Sequence, residues 1–284
     1  MKKSTVILII LLLITAAALL CQFSGTDAEY SRFNTNWNGV SDFFTSADAP
    51  CIYDYKDLNG KTNSTLLVIA PTNDFGGDEL KEYLRMGNVI IIADQSGNAN
   101  AFLASVGSDI RVFPQKIRSS DWEYQDSGLF RAYMNEHTPA YWAGCSHIFV
   151  NRPAHLTGGT SFIDTSRLSW IDINGNNAAD TDEPLQVYSV ASYNAVENGY
   201  VMVISDPSIF INSMQNIQYK ENTAVLNALK EQNLFIDQTA SETAKGGGIF
   251  GLLPLVYQYP AAGAAVLAGI FLLCGLICLR RGKL

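Results

Sequence analysis

Three short apolar runs, Leu66–Ala70, Val89–Ala93 and Tyr200–Ser205, punctuate the chain without alternating polar positions. A strand that is apolar at every position is one buried on both faces, as in a parallel sheet. Each run ends at a turn-forming residue: Pro71, Asp94 and Asp206-Pro207. Between the first two, Gly76-Gly77-Asp78-Glu79 opens a helix, with Leu80, Tyr83 and Leu84 at helical spacing and Gly87 as its stop. A second helix is predicted over Ala99–Val106. This strand–helix–strand–helix order predicts an α/β fold built on an open, mostly parallel sheet.

Elsewhere the pattern loosens. Arg111–Phe113 and His147–Val150 read as strands, and Ser127–Asn135 as a short helix. Ser161–Ile173 and Leu185–Tyr193 alternate, as antiparallel strands do. Ser208–Phe210 and Tyr219–Leu229 lead into a final helix, with Ala224, Leu226, Leu229 and Phe235 available to pack. Residues 22–61 are polar and aromatic without a period and are expected to wrap the edge of the domain.

Two further apolar runs bracket everything else. Val6–Leu20 follows Lys2 and Lys3, and Ala261–Leu279 precedes Arg280, Arg281 and Lys283. Cytoplasmic flanks collect Lys and Arg, so both tips are expected inside and the main body outside the cytoplasm, at the cell membrane. The first run is short for a spanning helix, which needs about 17–25 apolar residues, so a cleaved signal is a second reading. The predicted organisation is an N-terminal transmembrane anchor or signal over 1–21, an extracytoplasmic α/β domain over 22–237, and a flexible linker over 238–248. A membrane-interface segment with a C-terminal transmembrane helix follows over 249–279, and a basic cytoplasmic tail over 280–284.

Charge sharpens this picture. Five of the 19 basic residues lie in the two tips and none of the 27 acidic ones does, so the segment between has 14 basic groups and a net charge of −13. Such a surface argues against nucleic acid and anionic headgroups as partners. The expected partners are the membrane and other membrane or envelope proteins. Cys51 and Cys145 are the two cysteines of the predicted outer domain, and an even pair in an oxidising compartment is a candidate disulfide. His137, His147 and His155 are scattered, and Asn63-Ser64-Thr65 is a glycosylation sequon.

In an open parallel sheet, ligands gather beyond the carboxyl ends of the strands. The polar residues there are Asp74, Asp94, Ser96, Asn98, Asp206 and Ser208, a candidate ligand-binding set. Their simpler role is capping, because Asp, Ser and Asn bond the free amides of the following turn. Ser96 lies on a strand-to-helix turn, as a nucleophile elbow requires, but no glycine precedes it at the elbow position. A serine hydrolase using Ser96 with Asp206 is therefore the alternative to a binding module without its own catalysis.

One loop points to a metal. From Asp172 to Glu183 oxygen side chains fall at positions 1, 3, 5, 9 and 12, the spacing of an EF-hand calcium loop. The ligands would be Asp172, Asn174, Asn176, Asp180 and Glu183, with the carbonyl of Ala178. Asn177 stands at position 6, where a left-handed residue is required and Asn is the next best after Gly. Pro184 and strand-like flanks exclude a helix on each side, so calcium would sit in an isolated loop. A hairpin turn rich in Asn and Asp is the competing account.

The segment Asp78–Asp94, a helix, a glycine and a strand, resembles a prokaryotic membrane-anchored family of unknown function. The segment Gly199–Asn212, followed by Asn222, carries the same resemblance. The family's outer domain is similar to class I glutamine amidotransferases and to auxiliary subunits of gliding-type ABC transporters. The resemblance spans roughly residues 66–234 and implies an amidotransferase-like, Rossmann-like fold. It does not imply that activity, since neither the elbow cysteine nor its downstream histidine is placed here. It also implies a binding or assembly role on the membrane, as an accessory part of a transport or envelope complex.

Overall fold

The computed structural model describes residues 26–123, 125–215 and 222–246. The two predicted membrane spans lie outside the described residues, and among the described residues no helix is long and apolar enough to cross a membrane. Residues Asp27–Lys245 form one body.

Its order is α1 (Ser41–Ala47), β1 (Cys51–Ile52), β2 (Thr65–Ile69), α2 (Asp78–Arg85), β3 (Val89–Ala93), α3 (Asn100–Ser105), β4 (Arg111–Ser119), β5 (Trp122–Glu123), β6 (Asp126–Met134), β7 (His147–Asn151), β8 (Ala154–Thr157), β9 (Thr160–Asp164), β10 (Ser169–Asp172), β11 (Ser189–Val196), β12 (Gly199–Ile204), α4 (Asn212–Gln215), α5 (Thr223–Lys230) and β13 (Leu234–Asp237). A ten-stranded sheet runs β1-β13-β2-β3-β12-β11-β9-β6-β5, with β7 also paired to β6. A three-stranded sheet, β10-β4-β8, accompanies it.

The large sheet has two characters. From β1 to β12 every pair is parallel. From β12 through β11, β9, β6, β5 and β7 every pair is antiparallel. The expected mostly parallel sheet is thus a mixed one, with parallel order over half its width.

The three apolar runs became β2, β3 and β12 for the reason their composition gives. Leu66, Val68, Ile90, Ile92, Val201 and Val203 face one core, beneath Leu80 and Leu84 of α2 and Phe102 of α3. Their neighbours Leu67, Ile69, Ile91, Met202 and Ile204 face the other, against Phe43 of α1 and Leu226 and Leu229 of α5. Fully burying each such side chain stabilises by about 1.5–3 kcal/mol, so both faces resist exposure. Gly199 permits a close approach: a Cβ there would lie 2.2 Å from the carbonyl oxygen of Asn88 and 2.7 Å from that of Leu84.

Two expectations are corrected here. The sequence predicts a helix over 127–135, but 127–134 belong to strand β6, where Gly128, Phe130 and Ala132 point inward and β7 and β9 supply the pairing. The predicted linker over 238–248 starts inside the body: the Gln238 amide donates to Ile52 O (2.8 Å), the Ser241 hydroxyl to Asp237 O (2.9 Å), and the Glu242 amide to Ala70 O (2.8 Å). Cys51 and Cys145 are free thiols.

Strand β7 ends the antiparallel half in an unusual way. The Asn222 side chain accepts from Phe149 N (2.7 Å) and donates to Phe149 O (3.0 Å), imitating one rung of a ladder. Two residues on, Asp206 Oδ2 accepts from Asn151 N (2.6 Å).

Candidate functional site

Strands β3, β12 and β13 each end in a buried aspartate, or lead into one, and each carboxylate turns back on the amides that follow. Asp94 accepts from Ser96 N (2.7 Å), Gly97 N (3.1 Å) and Ala99 N (2.9 Å). Asp206 accepts from Ser208 N (2.8 Å) through Oδ1, while Oδ2 serves Asn151. Asp237 accepts from Thr239 N (3.0 Å) and Ala240 N (3.1 Å). These bonds satisfy amides that a strand-to-turn transition leaves unpaired.

Burial pushes all three carboxyls above the usual carboxylate range, Asp206 to about 6, and the amide bonds oppose that rise. Lys116, half-buried on β4, is lowered by desolvation and partly restored by the charges of Asp206 and Asp94.

Above these ends lies a cleft of about 250 Å³ lined by Glu29, Tyr30, Asp94, Gln95, Ser96 and Asn98, among others. A polar chain runs along it. Lys116 Nζ donates to Gln95 Oε1 (3.0 Å), Gln95 Nε2 donates to Tyr30 Oη (2.7 Å), and Tyr30 Oη lies 3.3 Å from Ser208 Oγ. Burial drives the Tyr30 phenol well above its ordinary range, so it stays protonated and works as a hydrogen-bonding group. Tyr30 itself sits at φ +58°, a strained left-handed position.

The structure brings Asp94, Ser96 and Asn98 to the cleft wall and sets Asp206 and Ser208 beneath it, buried. Asn98 Nδ2 donates to Pro71 O (2.8 Å), which braces the rim. Asp74 is not part of the site: it is exposed, because Ala70 turns at φ +50° and Thr72 N bonds Ala240 O, leading the chain away from the strand ends. Ser96 is exposed at the rim. Asp206 has both oxygens on backbone amides, so it is not poised to take a proton from a nucleophile.

Tyr30, Lys116 and Asp237 were not foreseen. Asp237 had a signal, since Leu234-Phe235-Ile236 is a fourth apolar run ended by Asp. Tyr30 and Lys116 had none, because contacts across long stretches of chain place them.

The loop after β10 folds as its spacing requires in several respects. Asn177 adopts φ +63° and Gly175 φ +76°. Asp172 accepts from Gly175 N (2.8 Å) and Asn177 N (3.2 Å), Asn174 from Asn176 N (2.9 Å), and Asn176 from Ala178 N (2.8 Å). Glu183 closes the loop on Ile173 N (2.7 Å) and Asp180 N (3.2 Å). The side-chain amides of Asn174 and Asn176 both donate to Asp180 Oδ2 (2.6 and 2.7 Å), and Arg118 Nε donates to Asp172 Oδ2 (3.3 Å). Among the described residues no three His, Cys, Asp or Glu side chains gather as a metal-holding group. A cation here would have to draw in the oxygens of the two amides in place of their nitrogens.

Residues 32–229 match the family described as "Domain of unknown function (DUF4350)", and the chain belongs to that family. No curated protein matches it. Among solved structures it is similar to the "mmIFT52 N-terminal domain", with 13% identity over 72% of this chain and 93% of that one and a TM-score of 0.46. It is also similar to "Cytoplasmic Protein STM1381 from Salmonella typhimurium LT2", with 13% identity over 66% of this chain and 84% of that one and a TM-score of 0.37. A β-galactosidase from the Antarctic haloarchaeon Halorubrum lacusprofundi matches with 12% identity over 59% of this chain and 22% of that one, at a TM-score of 0.33.

Proposed function

We propose that this member of the DUF4350 family is a membrane-anchored binding or assembly module held outside the cytoplasm, without catalysis of its own, serving as an accessory component of a transport or envelope complex. The observation that carries the reading is the state of the strand-end carboxylates. Asp94 and Asp206 are engaged by backbone amides, while the cleft above them offers a fixed chain of hydrogen-bonding groups, Lys116–Gln95–Tyr30. Such a wall recognises a partner group and has no nucleophile paired with a base. The likeness of Asp78–Asp94 and Gly199–Asn212 to amidotransferase-like domains and gliding-transporter subunits belongs to this same proposal, as does the pair of membrane anchors.

A photo-crosslinking residue placed at Ser96, in the intact protein in its membrane, is expected to give a discrete adduct, and the same residue at Asp74 is expected to give none. Purified wild-type protein and Ser96→Ala should show equal background turnover of p-nitrophenyl esters. A turnover burst present in wild type and lost in Ser96→Ala would establish the hydrolase in its place.

The loop over 172–183 supports a second element of the proposal, a structural calcium ion. What favours it is the left-handed Asn177 at position 6 together with Glu183 folding back to the loop's start. Asp172, Asn174, Asn176, Asp180 and Glu183 with the Ala178 carbonyl would hold the ion, whose role would be to neutralise and stiffen the loop. Thermal unfolding with and without chelator tests it, and an unchanged midpoint removes calcium from the account.

A further inference from the structure

Of the large apolar side chains that the fold leaves uncovered among the described residues, Trp37 is the most exposed, at 67%. It stands on the loop between Tyr30 and α1. A single exposed aromatic is ordinary on a protein surface, but three features set this one apart.

The first is rigidity. A Cβ at Gly39 would collide with the Asn34 carbonyl, so the loop doubles tightly back on itself. The Asn34 side chain accepts from Asn36 N (2.8 Å) and donates to Ala28 O (3.0 Å) and Asn38 Oδ1 (2.9 Å). The loop's carbonyls are taken up by the body. Asn212 Nδ2 donates to Asn36 O (2.7 Å), Ser213 N to Trp37 O (3.0 Å), Tyr30 N to Asn38 O (2.9 Å) and Asn212 N to Gly39 O (2.8 Å). A loop with its acceptors already engaged can enter a poorly hydrating layer at little cost.

The second is charge. From Phe33 to Ser41 the chain has no Asp, Glu, Lys, Arg or His, although the segment between the predicted spans has a net charge of −13. The third is place. The body begins at Asp27 and ends at Lys245, and its two ends lie side by side: Arg32 N donates to Thr243 O (3.0 Å), and Ser31 Oγ to Lys245 O (2.5 Å). The loop is tied to that same spot, since Asn36 Nδ2 donates to Asp27 Oδ1 (2.7 Å). Seven residues separate Asp27 from Leu20, where the predicted first span ends, and an extended chain of that length reaches at most about 25 Å.

We infer that the Trp37 loop docks on the lipid bilayer, with the indole seated in the interfacial layer and its neighbouring asparagines among the headgroups. This rests on the membrane anchoring proposed above. An indole joins a flat apolar ring to one N–H donor, the combination that the interface selects. The interface is roughly 5–7 Å deep on each side of the hydrocarbon, about the depth of one such ring. With no basic residue on the loop, the attraction is to the interface itself and not to anionic headgroups. Two tethers leaving from one place let a body swivel, and a third contact beside them fixes which face meets the membrane.

The test uses the full chain reconstituted into phosphatidylcholine vesicles, with a matched set whose acyl chains are brominated near the headgroup end. Bromine quenches tryptophan on contact, and the predicted spans contain no tryptophan, so quenching reports the body alone. Quenching is expected in wild type. Trp37→Phe should lose at least about half of it, whereas Trp122→Phe, at the other exposed tryptophan, should keep it. Both variants should unfold at the wild-type temperature, since neither side chain is in the core. An alkaline carbonate wash of the same vesicles separates the two ideas. A chain that is retained but shows no quenching, or equal quenching with and without Trp37, overturns the docking and leaves the anchoring standing. A chain released by the wash overturns both. Emission that follows the protein-to-lipid ratio and ignores bromine assigns the loop to a second copy, and so overturns the docking as well.

Discussion

The two halves of the large sheet solve the same problem with different chemistry. In the parallel half, β2, β3 and β12 are covered on both faces, and every residue from Leu66 to Ile69 is fully buried. There the polar groups gather toward the strand ends, and β3, β12 and β13 each close on one aspartate. In the antiparallel half, β6 alternates inward and partly exposed residues, and β9 and β11 mix buried with partly exposed ones. Polar side chains therefore occur along the strands as well as at their ends, while Arg118, Lys116 and Asp172 stand on β4 and β10 of the three-stranded sheet, from which Lys116 reaches back to Gln95 at the parallel ends. A fully covered sheet confines chemistry to its rim, and a half-covered one can carry it on its faces.

The comparison can be broken by experiment, starting where the effect is largest. Ile91→Ala opens a cavity in a strand packed from both sides and should cost toward the upper end of about 2–5 kcal/mol, whereas Leu129→Ala on β6, a partly buried position, should fall toward the lower end. Equal losses in chemical denaturation would erase the distinction.

Next is the pH dependence of the aspartate-closed ends. Burial carries Asp206 from 3.8 up to about 6. In the interval between, the native state holds a proton that the unfolded chain has released. The stabilisation is therefore complete below about pH 4 and is lost as pH rises through 6, by at most roughly 3 kcal/mol. Asp94 and Asp237, also raised by burial, act in the same direction. Urea midpoints measured from pH 4 to 7 should decline more steeply in wild type than in Asp206→Asn, and identical slopes would contradict the assignment.

The smallest effect contrasts two glycines outside the parallel half. Gly128→Ala forces a methyl group between Arg118 and Arg152 and should cost about 1–3 kcal/mol. A Cβ at Gly144 would meet nothing within 4 Å, so Gly144→Ala should stay within about 0.5 kcal/mol of wild type. A silent Gly128→Ala would mean that the arginine pair is not held as described.

The parallel half was legible in the chain because burial on both faces writes itself as uninterrupted apolar residues. Helix α2 was legible through Leu80, Tyr83, Leu84 and the Gly87 stop. Strand β6 was not, because two of its three inward residues, Gly128 and Ala132, are small and mask the alternation around Phe130. Asp94, Ser96 and Asn98 could be placed at the cleft from their position after β3, since a local turn decides it. Asp74 could not, since an equally local signal is overridden by the left-handed turn at Ala70. Lys116 and Tyr30 reach the site through pairing between distant segments, and nothing in their own neighbourhood announces it. The Asp172 loop lies between these cases: its turns follow from its own sequence, but its tie to Arg118 depends on β4 and β10 being partners.

The rung that Asn222 makes on Phe149 has a consequence for life at high concentration. A bare strand border is an invitation to any other extended polypeptide, and crowding many copies on one surface multiplies the encounters. Here the bonding positions are filled by a carboxamide and, two residues further, a carboxylate, neither of which can pass the pattern on to a newcomer. The ribbon stops at a plug, and neighbouring copies have nothing there to add to.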